Sequence, residues 1–208
     1  MVRMKIAIPI IVLALVALWL GVKLRAQTAS AGKKTETGQE SPANPKNLYS
    51  ALRSQILQGS RSRFGIAPTS KPTEPWGVLM DINHGRMTLT VVAASDGSAS
   101  LYFNNGGGYM GGNAEEPIRR AAQKAVEVAG ETQPLTHPTT TFPLPRPGEV
   151  IFYLLTDSGV YTVNASQDDL NSTSHPLRRL GEAMQNVIRQ YGPFVKATAG
   201  AAKEKQSN

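Results

Sequence analysis

Between Leu101 and Glu116 the chain reads LYFNNGGGYMGGNAEE, with five glycines in seven positions. An apolar strand enters the glycines and a helix opens after them. The segments on either side are constrained by this stretch, because whatever precedes it must deliver a strand and whatever follows must pack a helix. The stretch is also the only part of the chain whose pattern invites a ligand.

The approach to the glycines reads as a meander of strands. Trp76, Val78, Met80 and Ile82 alternate onto one face, as do Met87, Leu89, Val91 and Ala93. Asn83-His84-Gly85 marks a turn, and Asp96-Gly97 is a two-residue hairpin signal. Ala99, Leu101 and Phe103 then face one side, with Ser100 and Tyr102 on the other. Successive hairpins make these strands antiparallel. After the glycines, Asn113 and Glu116 have the spacing of a capping box. Ile118, Ala121, Ala122, Ala125, Val126 and Ala129 follow at helical spacing, an alanine-rich face suited to close packing on a sheet.

The flanking segments complete a single domain over residues 45–195. Asn44 and Pro45 open a first helix with an expected apolar stripe of Leu48, Leu52 and Ile56, Tyr49 and Leu57 beside it, and Gly59 at its end. Residues 131–148 hold five prolines and read as a stiff connection; the alternative is a polyproline segment for an aromatic groove. Val150–Leu155 is apolar on both faces, as a central strand requires, and Asp157-Ser158-Gly159 turns it back into Val160–Val163. The last helix carries Leu177, Leu180, Met184, Val187, Ile188 and Tyr191 on one face, with Gly192-Pro193 as its stop and a disordered tail expected over 196–208. The expected fold is α+β: about five largely antiparallel strands with three helices, in the order α-βββ-α-ββ-α. Profilin-like and roadblock-like domains share such an architecture.

Charge and hydropathy place the domain. Residues 6–22 form an unbroken apolar run of 17, enough to span a bilayer with snorkelling flanks. We read residues 1–25 as a single-pass signal-anchor. A cleaved signal peptide with its site near Ala31 is the competing reading, and Lys23 and Arg25, between the apolar core and that site, weigh against it. Residues 26–44 hold no large apolar residue and read as a polar tether. Basic residues on both flanks leave the positive-inside rule undecided. The position of the anchor resembles an export signal, so the domain is expected outside the cytoplasm.

The net charge of +7 suggests a nucleic-acid binder, yet six of the 22 basic residues precede the first acid, Glu36. The remaining 174 residues carry 16 basic and 15 acidic side chains, so no basic surface is expected and no nucleic acid. No cysteine is present, which removes disulfides, thiolate metal sites and cysteine nucleophiles. His84, His137 and His175 lack metal-ligand spacing. No metal or cofactor is expected.

Gly106, Gly108 and Gly111 match G-x-G-x-x-G between a strand and a helix, the dinucleotide fingerprint. Three features oppose it. The strand arrives through a hairpin, the next strand-end acid (Asp157) is about 50 residues on instead of about 20, and Glu115 and Glu116 occupy the helix start. A phosphate loop fails because Asn113 stands where lysine is required. What survives is an amide nest for a small anion, with Asn104, Asn105, Gly106, Gly107, Gly108, Gly111, Gly112 and Asn113 as the tentative ligand-binding residues. The bland reading is a loop whose glycines satisfy backbone geometry alone. Asp81 with His84, and Asp168 with Asp169, are weaker acid–base candidates, and no G-x-S-x-G elbow occurs. No catalytic residue is assigned.

Trp76-Gly77 with Met80-Asp81, Ala99-Ser100-Leu101-Tyr102-Phe103 with Gly106-Gly107-Gly108, Gly148 before the Val150 strand, and His175-Pro176-Leu177 together resemble a family of small bacterial proteins of unknown function. The resemblance covers about residues 75–190. It implies one self-contained domain and no catalytic residue; the anchor and tether depart from its soluble members. The expected function is a membrane-tethered, non-catalytic domain that binds a protein partner, a second copy of itself or a small ligand. The alternative is an enzyme or an anion- or nucleotide-binding module with its site at residues 106–112.

Overall fold

The computed structural model describes residues 45–204. The anchor 1–25 and the tether 26–44 lie outside the described residues. Among the described residues, no helix is long and apolar enough to cross a membrane. The elements below belong to the compact unit Ala43–Tyr191. The second unit, Met1–Pro42 with Gly192–Asn208, enters the described residues only as the continuation of the last helix to Glu204.

The elements run α1 (Pro45–Leu57), β1 (Gly77–His84), β2 (Met87–Ala94), β3 (Ala99–Phe103), β4 (Gly108–Met110), α2 (Glu116–Thr132), β5 (His137–Thr139), β6 (Glu149–Thr156), β7 (Gly159–Ser166), α3 (Gln167–Asn171) and α4 (Arg178–Glu204). All strands join one antiparallel sheet in the order β4-β3-β2-β1-β6-β7-β5. The fold is α+β, but the expectation of five strands, three helices and the order α-βββ-α-ββ-α is overturned. Among the described residues there are seven strands and four α-helices, and the profilin- and roadblock-like comparison built on that order falls with it. The additional elements are short. β4 and β5 have three residues each, one within the glycine run and one within the proline-rich connection. Neither is long enough to show alternation. α3 is a single turn fixed by a capping box between Ser166 and Asp169.

Both faces of the sheet are covered, which is why β1, β2, β3 and β6 are buried along nearly their whole length. Cross-strand partners share a face. Val78, Met80, Val91, Leu101, Phe152 and Leu154 therefore lie together, all fully buried. α2 packs on β1, β2 and β3 through Ala121, Ala122, Ala125 and Ala129, whose small side chains permit close approach. α4 contributes buried Leu180, Met184, Val187, Ile188 and Tyr191, and the Tyr191 hydroxyl donates to the Ala99 carbonyl at 2.7 Å.

The opposite face carries Leu79, Val92, Ala94, Tyr102, Ile151, Tyr153 and Leu155, packed with Tyr49, Ile56 and Leu57 of α1. Trp76 joins this second cluster and not the Val78 face expected from alternation, because it lies just outside β1. The stripe of α1 is also turned by one residue. Leu48 is 51% exposed, while Tyr49, Arg53 and Ile56 point inward. The helix thus spends a central inward position on a charged residue, for the reason given below.

Two helix ends differ from expectation. The residue capping α2 is Glu115 and not Asn113, and no side chain bonds the free amides. Glu116 pairs instead with Arg119 and Arg120. Pro193 lies inside α4, which continues over part of the expected tail.

Candidate functional site

The glycine stretch forms a hairpin before any helix begins. Phe103 and Gly107 close the turn, with Phe103 N–H donating to the Gly107 carbonyl at 3.1 Å and Gly106 N–H donating to Phe103 at 2.9 Å. Gly106 and Gly107 have φ of 101° and 89°, values that side-chain-bearing residues rarely adopt. Asn104 extends the β2–β3 ladder: its N–H donates to the Thr88 carbonyl, and its Oδ1 accepts from Thr88 N–H at 3.0 Å. Asn105 is exposed at the tip. Gly108 pairs with Tyr102 so closely that a Cβ there would sit 2.3 Å from the Leu101 carbonyl oxygen. Gly112 is buried, and a Cβ on it would meet Ile118 at 2.4 Å and the Tyr191 hydroxyl at 2.6 Å. Gly111 and Asn113 are exposed beyond β4.

These eight residues therefore do not converge. Of the fingerprint glycines, Gly108 lies in β4, which separates Gly106 from Gly111, and a short 3-10 turn, Gly112–Ala114, separates Gly111 from α2, so they do not present amides around one point at a helix start. Four of the eight residues line two neighbouring hollows: Gly107 and Gly108 in one, Gly111 and Asn113 in the other.

The weaker pairs also separate. Asp81 and His84 lie three residues apart on β1 and so on opposite faces. Burial lowers the His84 pKa, and His84 Nε2 has no partner. Asp169 is committed to the α3 capping box, where the Ser166 hydroxyl and amide hold its carboxyl below the usual range. Among the described residues, no group of three or more His, Cys, Asp or Glu side chains is arranged to hold a metal.

The face under α1 divides into a closed half and an open half. At the centre of the closed half is Asp81, fully buried on the middle strand. Its Oδ2 accepts from Arg53 Nε at 2.9 Å and Nη2 at 2.7 Å, and its Oδ1 accepts from the Thr90 hydroxyl. Tyr49 bonds Thr90 at 2.8 Å. Arg53 also donates to the carbonyls of Phe142 and Pro143 in the proline-rich connection, lies over the Tyr153 ring, and shares the Pro143 carbonyl with the Tyr153 hydroxyl. Burial pushes the Asp81 carboxyl up, opposed by Arg53 and Thr90. Burial likewise raises Tyr49 and Tyr153, each to about 12. A buried carboxylate needs such partners, because taking its charge out of water unpaired costs several kcal/mol. The signal in the sequence was an acid inside the apolar run VLMDI, with an arginine on the inward face of α1.

The open half lies towards β4. A hollow of about 260 Å³ is walled by Ile56, Phe64, Ile66, Trp76, Val92, Ala94 and Tyr102, with Asp96 and Asn113 at its rim. A second, of about 220 Å³, is walled by Leu48, Tyr49, Leu52 and Phe103; the two share Tyr102 and Met110. Met110 is 67% exposed and Leu48 51%, so the second hollow has exposed apolar side chains on two of its walls. Trp76 is buried against Phe64, their rings 5.7 Å apart, and its indole N–H has no hydrogen-bond partner. An unpaired buried donor costs about 1–3 kcal/mol. Neither hollow joins a nucleophile to a base; Asp96 is occupied by Ser98.

A larger trough, about 900 Å³, lies between residues 69–75 and α2. Its acids and bases do not converge: Arg61 is held by Asp157 and the Ala67 carbonyl, and Glu127 by Lys124. The apolar hollows have the stronger claim, because concave, mostly apolar walls are what small-molecule sites present.

The chain matches no protein-family model, no curated protein and no solved structure. Function is therefore argued from the site alone.

Proposed function

We propose that this chain is a membrane-tethered, non-catalytic binding domain whose ligand is a small apolar molecule seated beneath the β3–β4 hairpin. The observation that carries the reading is the pair of mostly apolar hollows sharing Tyr102 and Met110, with the Trp76 side chain in the wall of the first. An apolar ligand removes water from those walls. The tether reading rests on the apolar run 6–22 and the polar stretch 26–44. We place the domain on the extracytoplasmic side.

The indole resonances of the full chain in lipid nanodiscs provide the test. The chain has two tryptophans, Trp19 and Trp76. Small apolar ketones and esters are expected to move the Trp76 indole N–H signal and leave the Trp19 signal in place. A Trp76 signal indifferent to every such compound would remove the reading.

A further inference from the structure

We infer that the trough between residues 69–75 and α2 is a binding site for an extended peptide carrying one acidic side chain. The trough shares no lining residue with either apolar hollow, so this site stands apart from the one proposed there. Arg61 supplies the anchor. It lines the trough, and its side chain is only 10% exposed. Nε donates to Asp157 at 3.2 Å and Nη1 to the Ala67 carbonyl at 2.6 Å, while Nη2 has no partner among the described residues. The guanidinium is thus held in place with one nitrogen to spare. Lys71 is exposed on the same trough, and its ammonium enters none of the ion pairs among the described residues. Two cations therefore stand beside one committed carboxylate, Asp157, which favours one further carboxylate. Glu127 is already matched by Lys124. Glu74 is exposed on the wall, where water screens it, and tells most strongly against a doubly charged group such as phosphate.

The recess of Arg61 selects a side chain over a chain end. A carboxylate on a stem, as in aspartate or glutamate, reaches a donor this deep while the peptide backbone stays above it. The opposite wall suits that backbone. Gln123 in α2 and Gln133 just after it each offer an amide that both donates and accepts, the complement of peptide C=O and N–H. Ten residues of helix between them span about 15 Å, the length of about four or five extended residues. No aromatic residue lines the trough, which removes the stacking that nucleobases use. Gly130 lies on the same wall between the two glutamines. A Cβ there would meet nothing within 4 Å, so packing does not demand glycine, and glycine weakens a helix. Its missing side chain keeps the trough open where the peptide backbone would run.

Titration of the full chain with blocked pentapeptides tests this, using a central Glu or a central Gln between mixed neutral residues. The side-chain amide signals of Gln123 and Gln133 report binding. The Glu peptides are expected to bind about tenfold tighter than the Gln peptides, the worth of one charge-assisted hydrogen bond. Lys71→Gln, at an exposed position, is expected to remove most of that preference and leave the affinity for the Gln peptides unchanged. Gly130→Leu is expected to abolish binding of both without lowering the unfolding midpoint. Equal affinity for Glu and Gln peptides, or no binding of either, would overturn the inference. Binding that survives Gly130→Leu would also overturn it, because the peptide would then sit elsewhere. Free glutamate or inorganic phosphate binding as tightly as the Glu peptides would overturn the extended peptide and leave a small-anion site in its place.

Discussion

The closed and open halves of the α1 face share a sheet, a helix and an aromatic lining, yet they are finished in opposite ways. In the closed half, both Asp81 oxygens have a donor, Arg53 donates four hydrogen bonds to three acceptors on β1 and the proline-rich connection, and Phe142 packs edge-on against the Tyr153 ring. In the open half, the Trp76 indole is unpaired and Met110 overhangs a hollow. A polar network that is completely satisfied rigidifies its surroundings and leaves nothing to offer a ligand. A concave, mostly apolar wall is the reverse. The difference teaches that the charged cluster, which by residue type looks like chemistry, is the fastening, while the mostly apolar hollow is where we propose the ligand sits.

The largest expected effect comes from breaking the fastening. Arg53→Ala leaves a fully buried Asp81 without its cation, and loss of one partner of a buried pair costs about 3–5 kcal/mol. Denaturant unfolding of the full chain should show a loss of that order. The double variant Arg53→Met with Asp81→Leu should recover most of it, since an apolar pair of similar volume is often neutral or better. A double variant no more stable than Arg53→Ala would mean that Arg53 matters through its bonds to Phe142 and Pro143, and the closed half would then be held by the connection instead of the ion pair.

Next comes the wall of the open half. Gly108→Val puts a side chain into the Leu101 carbonyl, a backbone atom that cannot swing aside. Overpacking of this kind costs about 1–3 kcal/mol. The expected result is reduced stability without any ligand present, together with weaker binding. Unchanged stability with lost binding would return the glycines to a direct ligand role.

The sequence foretold these two halves unequally. The strands β1, β2, β3 and β6 were legible because their apolar alternation, or its absence on a central strand, reports burial directly. β4 and β5 were not, since three residues such as Gly108–Met110 pair by backbone bonds that leave no side-chain period. The glycine run was legible as a special backbone but not as a hairpin; the hydrogen bond from Phe103 to Gly107 decides that. Arg53 was missed because its partner lies 28 residues away, and a charged residue on a short helix ordinarily faces water. The hollow was invisible for a related reason: Trp76, Tyr102 and Met110 come from three segments, and only the pairing of β3 with β4 brings the last of them to the rim.

Alkaline titration compares the halves without mutation. Tyr49 and Tyr153, in the closed half, ionise at about 12 because burial disfavours the phenolate. In the unfolded chain both ionise near 10. A raised folded value stabilises the fold fully below the unfolded pKa, and that contribution is lost as the pH rises from about 10 towards 12. Absorbance of phenolate should therefore show Tyr49 and Tyr153 among the tyrosines that titrate late, together with Tyr102, Tyr109 and Tyr191, which burial also raises, with unfolding setting in over the same window. Tyr49→Phe should remove one of the late groups. If Tyr49 and Tyr153 titrate normally while the fold persists, the closed half is open to water and the contrast with the hollow disappears.

The smallest effect on stability is expected at the rim of the hollow. Met110 is 67% exposed and belongs to a three-residue edge strand. Surface substitutions away from caps and networks usually change stability by no more than about 0.5 kcal/mol. Met110→Ser should therefore leave the unfolding midpoint nearly unchanged. It nevertheless removes the one side chain common to the mouths of both hollows on the β4 side, and with it much of the apolar contact a ligand would make. A midpoint that stays while the ligand response of the Trp76 indole falls is the signature of a residue kept for binding. A midpoint that drops by several times the expected change would instead make Met110 part of the core, and the open half would be an imperfectly packed edge with no ligand to fill it.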